Sequence, residues 1–253
     1  RNRVKPRFGV IASSRVLRLS CYRSMAGKPT KIVKRPARQR VQSRAAAGKT
    51  DHATAFEQAR RALMRKDPRL ASHIKKMGRR RPDFGPRDPF HALVGAVVSQ
   101  QLSTKAADTI ERRVVALIGG YDALTPASLL AADPDALRAA GLSRPKVSYL
   151  RDLASHVVDG RLDLDGLTHK TDEEIVTAIT AVKGFGRWSA EMFLMFCLRR
   201  PDVFPVGDLG IVKGMQILTG MKTRPKPRTM TRAAEAWRPH RSVASWYLWR
   251  LLE

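Results

Sequence analysis

Cysteines, long apolar runs and nucleotide-binding motifs are scarce or missing in this chain of 253 residues, and each absence excludes a class of protein. The two cysteines, Cys21 and Cys197, are too few for a disulfide framework or for a four-cysteine zinc or iron–sulfur site within one chain. The longest apolar runs, such as residues 192–198, are far shorter than the roughly 18 residues that a membrane-spanning helix needs. The sequence contains neither a P-loop nor a Gly-x-Ser-x-Gly elbow. We therefore expect a soluble, reduced intracellular protein.

Acidic residues are absent from the first 50 positions, which contain 15 of the 48 Lys and Arg residues. The rest of the chain carries 33 basic and 22 acidic residues, so this leader supplies more than half of the formal net charge of +26. So basic a segment buries too little apolar surface to offset the entropy of ordering, and we predict that residues 1–50 form a disordered basic tail. Such a tail makes non-specific phosphate contacts. It also resembles a mitochondrial transit peptide, although its amphipathic pattern is poor.

Helical signals follow one another from Asp51 onward. Asp88 followed by proline is typical of a helix N-terminus, and behind it apolar residues recur at helical spacing through residue 98. Ser103 is a second candidate N-cap, and Thr171 begins a capping-box sequence. The best strand candidate, residues 161–165, is too short to be convincing. The sequence therefore predicts an all-α protein of ten or so short helices.

A short glycine-containing segment between two predicted helices is the most informative stretch of the chain. It reads Lys-Gly-Phe-Gly-Arg at residues 183–187. Two glycines one residue apart allow a tight turn, and backbone N–H groups at a helix N-terminus bind phosphate. A helix-hairpin-helix DNA-binding element requires this arrangement, although a glycine turn without any ligand is about as common for the glycine spacing alone. The residues expected to bind DNA here are Lys183, Gly184, Phe185, Gly186 and Arg187.

The segment after this hairpin carries a family resemblance. Residues 203–211 read Val-Phe-Pro-Val-Gly-Asp-Leu-Gly-Ile, and a hairpin followed by a Gly/Pro-rich loop with one aspartate resembles the helix-hairpin-helix DNA glycosylase superfamily. Within it, the chain most resembles the 3-methyladenine DNA glycosylase II branch. Residues 96–103 are similar to the family's loop that pushes into the duplex, and residues 237–249 are similar to its C-terminal signature. The resemblance covers about residues 60–252.

This resemblance implies a domain of residues 51–253 built as two helical lobes around a cleft. One lobe would run from about residue 89 to residue 200 and contain the hairpin. The other would combine residues 51–88 with residues 201–253. The catalytic residue, at position 208, would then lie at the junction of the lobes, facing the cleft that receives the flipped base.

A single carboxylate is the catalytic group that the resemblance implies. Breaking an N-glycosidic bond builds positive charge on the deoxyribose, which a fixed carboxylate stabilises. By resemblance this residue is Asp208. From spacing alone, an ordinary N-cap role explains the aspartate at this position equally well. The two roles are compatible, because a cap holds the carboxylate rigid. Trp249 and Trp188 match positions that line the base pocket, and so does Met192, which stands where several relatives have tyrosine.

Further DNA contacts are implied outside the hairpin. Gln101, or otherwise Leu102, matches the residue that fills the gap left by a flipped base; its alternative role is that of a polar residue ending a helix. Arg241, in the C-terminal segment, is also expected to bind DNA. The partner implied is double-stranded DNA containing damaged bases, bound by a monomer with no membrane contact.

The activity implied is that of a monofunctional DNA glycosylase that flips out alkylated purines such as 3-methyladenine and leaves an abasic site. Trp188 occupies the position at which lyase relatives carry a Schiff-base lysine. The six histidines are scattered, so no metal is expected; a monovalent cation on hairpin carbonyls is compatible with the resemblance, and no other cofactor is implied. We expect a cytoplasmic, nucleoid-associated location, or a mitochondrial or nuclear one in a eukaryote. The rival hypotheses are a non-enzymatic DNA-binding protein and, more weakly, a lyase that uses another lysine.

Overall fold

A computed structural model describes residues 47–78, 80–82 and 88–253, and in these ranges the chain forms α-helices and 3-10 turns with no strand. The predicted all-α class is confirmed. Residues 1–46, which hold almost all of the predicted tail, lie outside the described residues. The helices of the described part are Ala47–Lys66 (α1), Pro68–Met77 (α2), Pro89–Ser99 (α3), Thr104–Ile118 (α4), Pro126–Ala131 (α5), Pro134–Ala139 (α6), Arg144–Val158 (α7), Asp172–Thr180 (α8), Arg187–Phe196 (α9), Leu209–Thr219 (α10), Pro227–Ala234 (α11) and Arg241–Arg250 (α12).

Side-chain caps begin most of these helices where the sequence predicts them. The Asp88 side chain accepts from the amide of the third residue of α3, and the Ser103 hydroxyl accepts from the third residue of α4. Thr171 forms a complete capping box at α8. Each such cap satisfies an amide that the helix itself leaves unpaired. The first helix begins at Ala47, four residues before the expected boundary at Asp51.

Helix contacts group the described chain into two sets. In the first, α3 packs against α4, α7 and α9, while α5 and α6 pack on α7 and α8 packs on α9. In the second, α1 and α2 pack against α12, and α2 also contacts α10. The N-terminal helices thus pair with helices of the C-terminal part of the chain. Buried contacts hold them together, such as the hydrogen bond from the Trp237 indole to Asp67 (3.1 Å), which joins residues 170 positions apart.

A glycine sets the close packing of α10 on α12. A Cβ atom at Gly214 would lie 2.5 Å from the backbone oxygen of Leu248, so the two helices approach to a distance that only glycine permits. This contact brings the start of α10 close to the C-terminal half of α12. The residue at the start of α10 is Asp208, and it forms the centre of the candidate site.

Candidate active site

Asp208 is the N-cap of α10 and is almost completely buried, with 2% of its surface exposed. Its Oδ1 atom accepts a hydrogen bond from the backbone amide of Ile211 at 2.8 Å. The structural cap role inferred from the sequence is therefore present. It also fixes the carboxylate in one orientation, which any charge-stabilising role needs.

Two tryptophan indoles, one before Asp208 in the sequence and one after it, hold the same carboxylate. Trp249, on α12, donates from Nε1 to Oδ1 of Asp208 at 2.8 Å, and Trp188, on α9, donates to Oδ2 at 2.7 Å. With the backbone amide, Asp208 accepts three hydrogen bonds, each charge-assisted. The sequence placed both tryptophans near the site but did not show that their indole N–H groups contact the aspartate.

The two indoles differ in how much surface they offer to a ligand. Trp249 is 6% exposed, and its ring stacks on Phe196 with centroids 5.8 Å apart. Trp188 is 44% exposed and covers the Oδ2 side of Asp208. Trp249 is thus a buried support of the carboxylate, whereas Trp188 has exposed surface beside it. The role of both residues in a base pocket stays a prediction. Met192, one turn along α9 from Trp188, is partly buried against the core.

Contacts with the protein interior fix the hairpin turn between α8 and α9. Gly184 has φ +83°, and a Cβ atom there would lie 2.3 Å from the Tyr149 ring. The side chain of Phe185 is 7% exposed, and its amide donates to the carbonyl of Val182. The prediction that Phe185 binds DNA is corrected here, because both its side chain and its N–H group are engaged within the protein.

The start of α9, in the hairpin, has no side-chain cap. Its N-cap is Gly186, which has no side chain to cap the first-turn amides. Ser, Thr or Asp side chains cap α2–α8 and α10, whereas α11 and α12 also lack a side-chain cap. An uncapped N-terminus carries unpaired N–H groups and the positive end of the helix dipole. The amide of Lys183, on the other side of the turn, already donates to Asp152 at 2.8 Å. Of these two ends of the turn, only the start of α9 therefore lacks a side-chain acceptor for its amides.

The cationic side chains of the hairpin have acidic neighbours that the sequence did not reveal. Arg187 forms two hydrogen bonds to Glu173 (2.5 and 3.1 Å) and one to Glu191 (3.3 Å). The Arg187 hydrogen bonds hold the pKa of Glu173 below its usual range, whereas burial raises the pKa of Glu191 against the opposing charge of Arg187. The pair with Glu173 is largely exposed, so it is weak and a phosphate can replace it. Lys183 is mostly exposed, 3.8 Å from Asp152.

The loop between α3 and α4 lies beside the hairpin. Gln101 is exposed and has φ +58°, an uncommon conformation for a residue other than glycine, and Leu102 is partly buried. The neighbouring Gln100 donates from its side chain to the carbonyl of Gly184 at 2.9 Å. The loop therefore presents Gln101 at its tip and uses Gln100 to contact the hairpin.

Arg241 is a second residue whose predicted DNA contact the structure does not support. Its guanidinium is 12% exposed and donates to both carboxylate oxygens of Asp202 at 2.8 and 3.0 Å, as well as to the Asp202 carbonyl. Such bidentate pairing occupies the donors that a phosphate would need. Arg241 instead joins the start of α12 to the loop that leads to Asp208.

Neither a metal cluster nor a membrane helix is found in the described ranges. No group of three or more His, Cys, Asp and Glu side chains there is arranged to hold a metal ion. None of the helices described above has the length and apolar content needed to cross a bilayer.

Comparison with known families gives a match over residues 94–239, to the family described as "HhH-GPD superfamily base excision DNA repair protein". This range includes the loop before α4, the hairpin and Asp208. The chain is 33% identical over 180 residues to DNA-3-methyladenine glycosylase 1 of Schizosaccharomyces pombe, covering 70% of this chain and 79% of that protein. It is 32% identical over 188 residues to DNA-3-methyladenine glycosylase 2 of Escherichia coli, covering 70% of this chain and 63% of that protein.

Solved structures give the same grouping. The S. pombe 3-methyladenine DNA glycosylase in complex with abasic DNA has a TM-score of 0.68 and 31% identity, over 76% of this chain and 95% of that one. A DNA-3-methyladenine glycosidase from Bacillus halodurans also has a TM-score of 0.68, with 39% identity, over 76% of this chain and 87% of that one.

Proposed function

Since the chain belongs to the HhH-GPD superfamily of base excision DNA repair proteins, we propose that it is a monofunctional DNA glycosylase that removes alkylated purines such as 3-methyladenine from double-stranded DNA. The observation that carries this proposal is the buried carboxylate of Asp208, held by one amide and two indoles. DNA binding alone requires no such group. The oxocarbenium-like charge of glycosidic bond cleavage does require one.

The chemistry assigned to Asp208 is electrostatic. Its carboxylate, already oriented by three donors, stabilises the positive charge that develops on the sugar and orients the attacking water. Oδ1 faces the buried Trp249, so the sugar approaches from the Oδ2 side, where Trp188 is exposed. Because Asp208 is only 2% exposed, the Trp188 indole has to move aside when the sugar arrives.

The base itself is recognised by stacking. An alkylated purine carries a positive charge, and an electron-rich indole face attracts it by about 1–2 kcal/mol when water is excluded. Trp188 offers such a face next to Asp208. Because the hairpin carries tryptophan at position 188, where a lyase would carry its lysine, the product is an abasic site and not a cleaved strand.

DNA is held mainly through its phosphates. The uncapped start of α9 takes one phosphate, with Lys183 beside it, and Gln101 enters the stack at the flipped base. The enzyme acts as a monomer on chromosomal DNA, in the cytoplasm of a bacterium or in the nucleus or mitochondrion of a eukaryote. No cofactor takes part in the proposed reaction, and a monovalent cation on hairpin carbonyls would support phosphate binding only.

The direct test is release of free base from methylated duplex DNA. We expect methylated purines in the soluble fraction by chromatography, intact strands until alkali is added, and no protein–DNA adduct after borohydride reduction on abasic DNA. DNA binding without base release would instead indicate the non-enzymatic DNA-binding protein. A borohydride adduct would indicate a lyase that uses another lysine.

A glycine next to the carboxylate gives a second prediction. A Cβ atom at Gly210 would lie 2.6 Å from Cδ1 of Trp249 and 3.1 Å from Oδ1 of Asp208. The Gly210→Ala variant therefore loses the Trp249 hydrogen bond, and we expect base release to slow by roughly tenfold to a hundredfold, the range for a hydrogen bond to a charged group. The measurement is the single-turnover rate on methylated duplex.

The matched control is Gly207→Ala, in the loop just before α10, where an added methyl group meets nothing within 4 Å. This control should keep the wild-type rate, and both variants should keep wild-type DNA affinity. Equal rates for the two variants would show that the Trp249 hydrogen bond does not contribute to the reaction.

A further inference from the structure

Lys146, in the first turn of α7, contacts the main chain of the loop that precedes α4. Its ammonium group donates to the carbonyl of Val98 at 2.7 Å and to the carbonyl of Gln100 at 2.8 Å. These oxygens belong to the C-terminal end of α3, where helix carbonyls lack partners within the helix. A cation at this position also opposes the negative end of the α3 dipole. Lys146 thus caps α3 from another helix.

The surroundings of Lys146 indicate a geometric role. Its side chain is half-buried, and burial lowers the pKa of its ammonium group. No carboxylate of the described residues forms an ion pair with it. Hydrogen bonds to the two carbonyl groups therefore offset the free-energy cost of burying the charge. An ammonium group held in this way is well suited to fixing the path of the main chain.

The residue that follows these carbonyls is under strain. Gln101 has φ +58°, a backbone conformation that is unfavourable for residues with a side chain and that persists only where the surroundings impose it. Gln100, just before it, is held twice: its carbonyl by Lys146, and its side chain by the carbonyl of Gly184 in the hairpin. The loop that carries Gln101 is therefore tied to both α7 and the hairpin.

We propose that Lys146 is a positioning residue for base flipping, which holds the main chain at residues 98–100 so that Gln101 enters the DNA stack as a preformed wedge. This inference rests on the proposed function. Flipping a base from a duplex costs a few kcal/mol, and a rigid wedge offsets this cost better than a mobile loop does. Lys146 itself contacts neither the base nor the sugar.

The test measures opening of the base stack without bond cleavage. The probe is a duplex with 2-aminopurine opposite a tetrahydrofuran abasic analogue, and its fluorescence rises when the stack opens. At saturating protein, we expect Lys146→Met to give a fluorescence change about tenfold smaller than wild type, the scale of a lost hydrogen bond to a charged group. DNA affinity and melting temperature should stay near wild type, and Lys146→Arg should restore most of the signal.

Lys75→Met, which removes one exposed positive charge from α2, is the control for net charge and should leave the fluorescence change intact. A wild-type signal in Lys146→Met, or a loss that follows a fall in melting temperature, would overturn the proposal. So would the absence of any signal from the wild-type protein. Failure of the proposed function would be recognised separately, because the wild-type protein would then release no base from methylated duplex. The fluorescence signal does not depend on base release, since it needs no catalysis.

Discussion

Replacing Asp208 by asparagine should slow base release from methylated duplex by about a hundredfold or more while DNA affinity stays unchanged. Asparagine is also a good N-cap, so the hydrogen bond from the Ile211 amide and the start of α10 should be kept. The variant loses the negative charge, however. Its side-chain NH2 group would also face the Trp188 indole N–H, so that two donors meet where the indole N–H now donates to a carboxylate oxygen at 2.7 Å. Both effects act on the reaction rather than on folding.

Single-turnover rates, DNA affinity by fluorescence anisotropy and melting temperature together check this prediction. Asp122→Asn, which changes an exposed acid far from the hairpin in sequence, is the control and should behave as wild type. If Asp208→Asn keeps the wild-type rate, the carboxylate is a helix cap and no more. If it loses DNA binding or stability, the role of Asp208 is structural.

The second large effect is expected at the hairpin, where Gly184→Ala should lower the free energy of unfolding by roughly 3 kcal/mol. Two costs add at this position: a positive φ that alanine adopts poorly, and a Cβ atom 2.3 Å from the Tyr149 ring. Because the Gly184 carbonyl also receives the Gln100 side chain, the distorted turn should weaken DNA binding by about tenfold as well.

The other hairpin glycine provides a matched control. Gly186 has a negative φ of −111°, and an added methyl group there meets nothing within 4 Å. Gly186→Ala should therefore cost less than about 1 kcal/mol, the usual range for changing an N-cap glycine. Urea denaturation of both variants measures the difference. Equal destabilisation would mean that neither the positive φ nor the Tyr149 contact governs the turn.

Features that depend on neighbours in the chain could be predicted from the sequence. The N-caps at Asp88, Ser103 and Thr171 were each indicated by a polar residue before an apolar run, and the structure shows their hydrogen bonds. Asp208 was singled out by the family resemblance of its segment, whereas its cap role follows from the same local rule. Such signals are readable because a helix start involves residues only three or four positions apart.

Charge partners and burial could not be predicted in this way. Arg241 was expected on the DNA, but it pairs with Asp202, 39 residues earlier in the chain. Phe185 was expected to bind DNA, but it is buried. Whether a basic or aromatic side chain meets a phosphate, a carboxylate or the core depends on which distant segments pack beside it, and composition does not carry that information.

The sequence by itself determined the helical class, the hairpin turn and the cap role of Asp208, because periodicity, caps and short motifs are local. The family followed from the resemblance of several such segments, and the catalytic role of Asp208 is a prediction from that resemblance. The tertiary structure decided that two indoles hold Asp208, that Trp188 rather than Trp249 has exposed surface, and that Lys146 ties the loop that carries Gln101. The physical reason is the same in each case. These contacts join residues 20 to 46 positions apart, and only the packing of whole helices brings their atoms within hydrogen-bond distance.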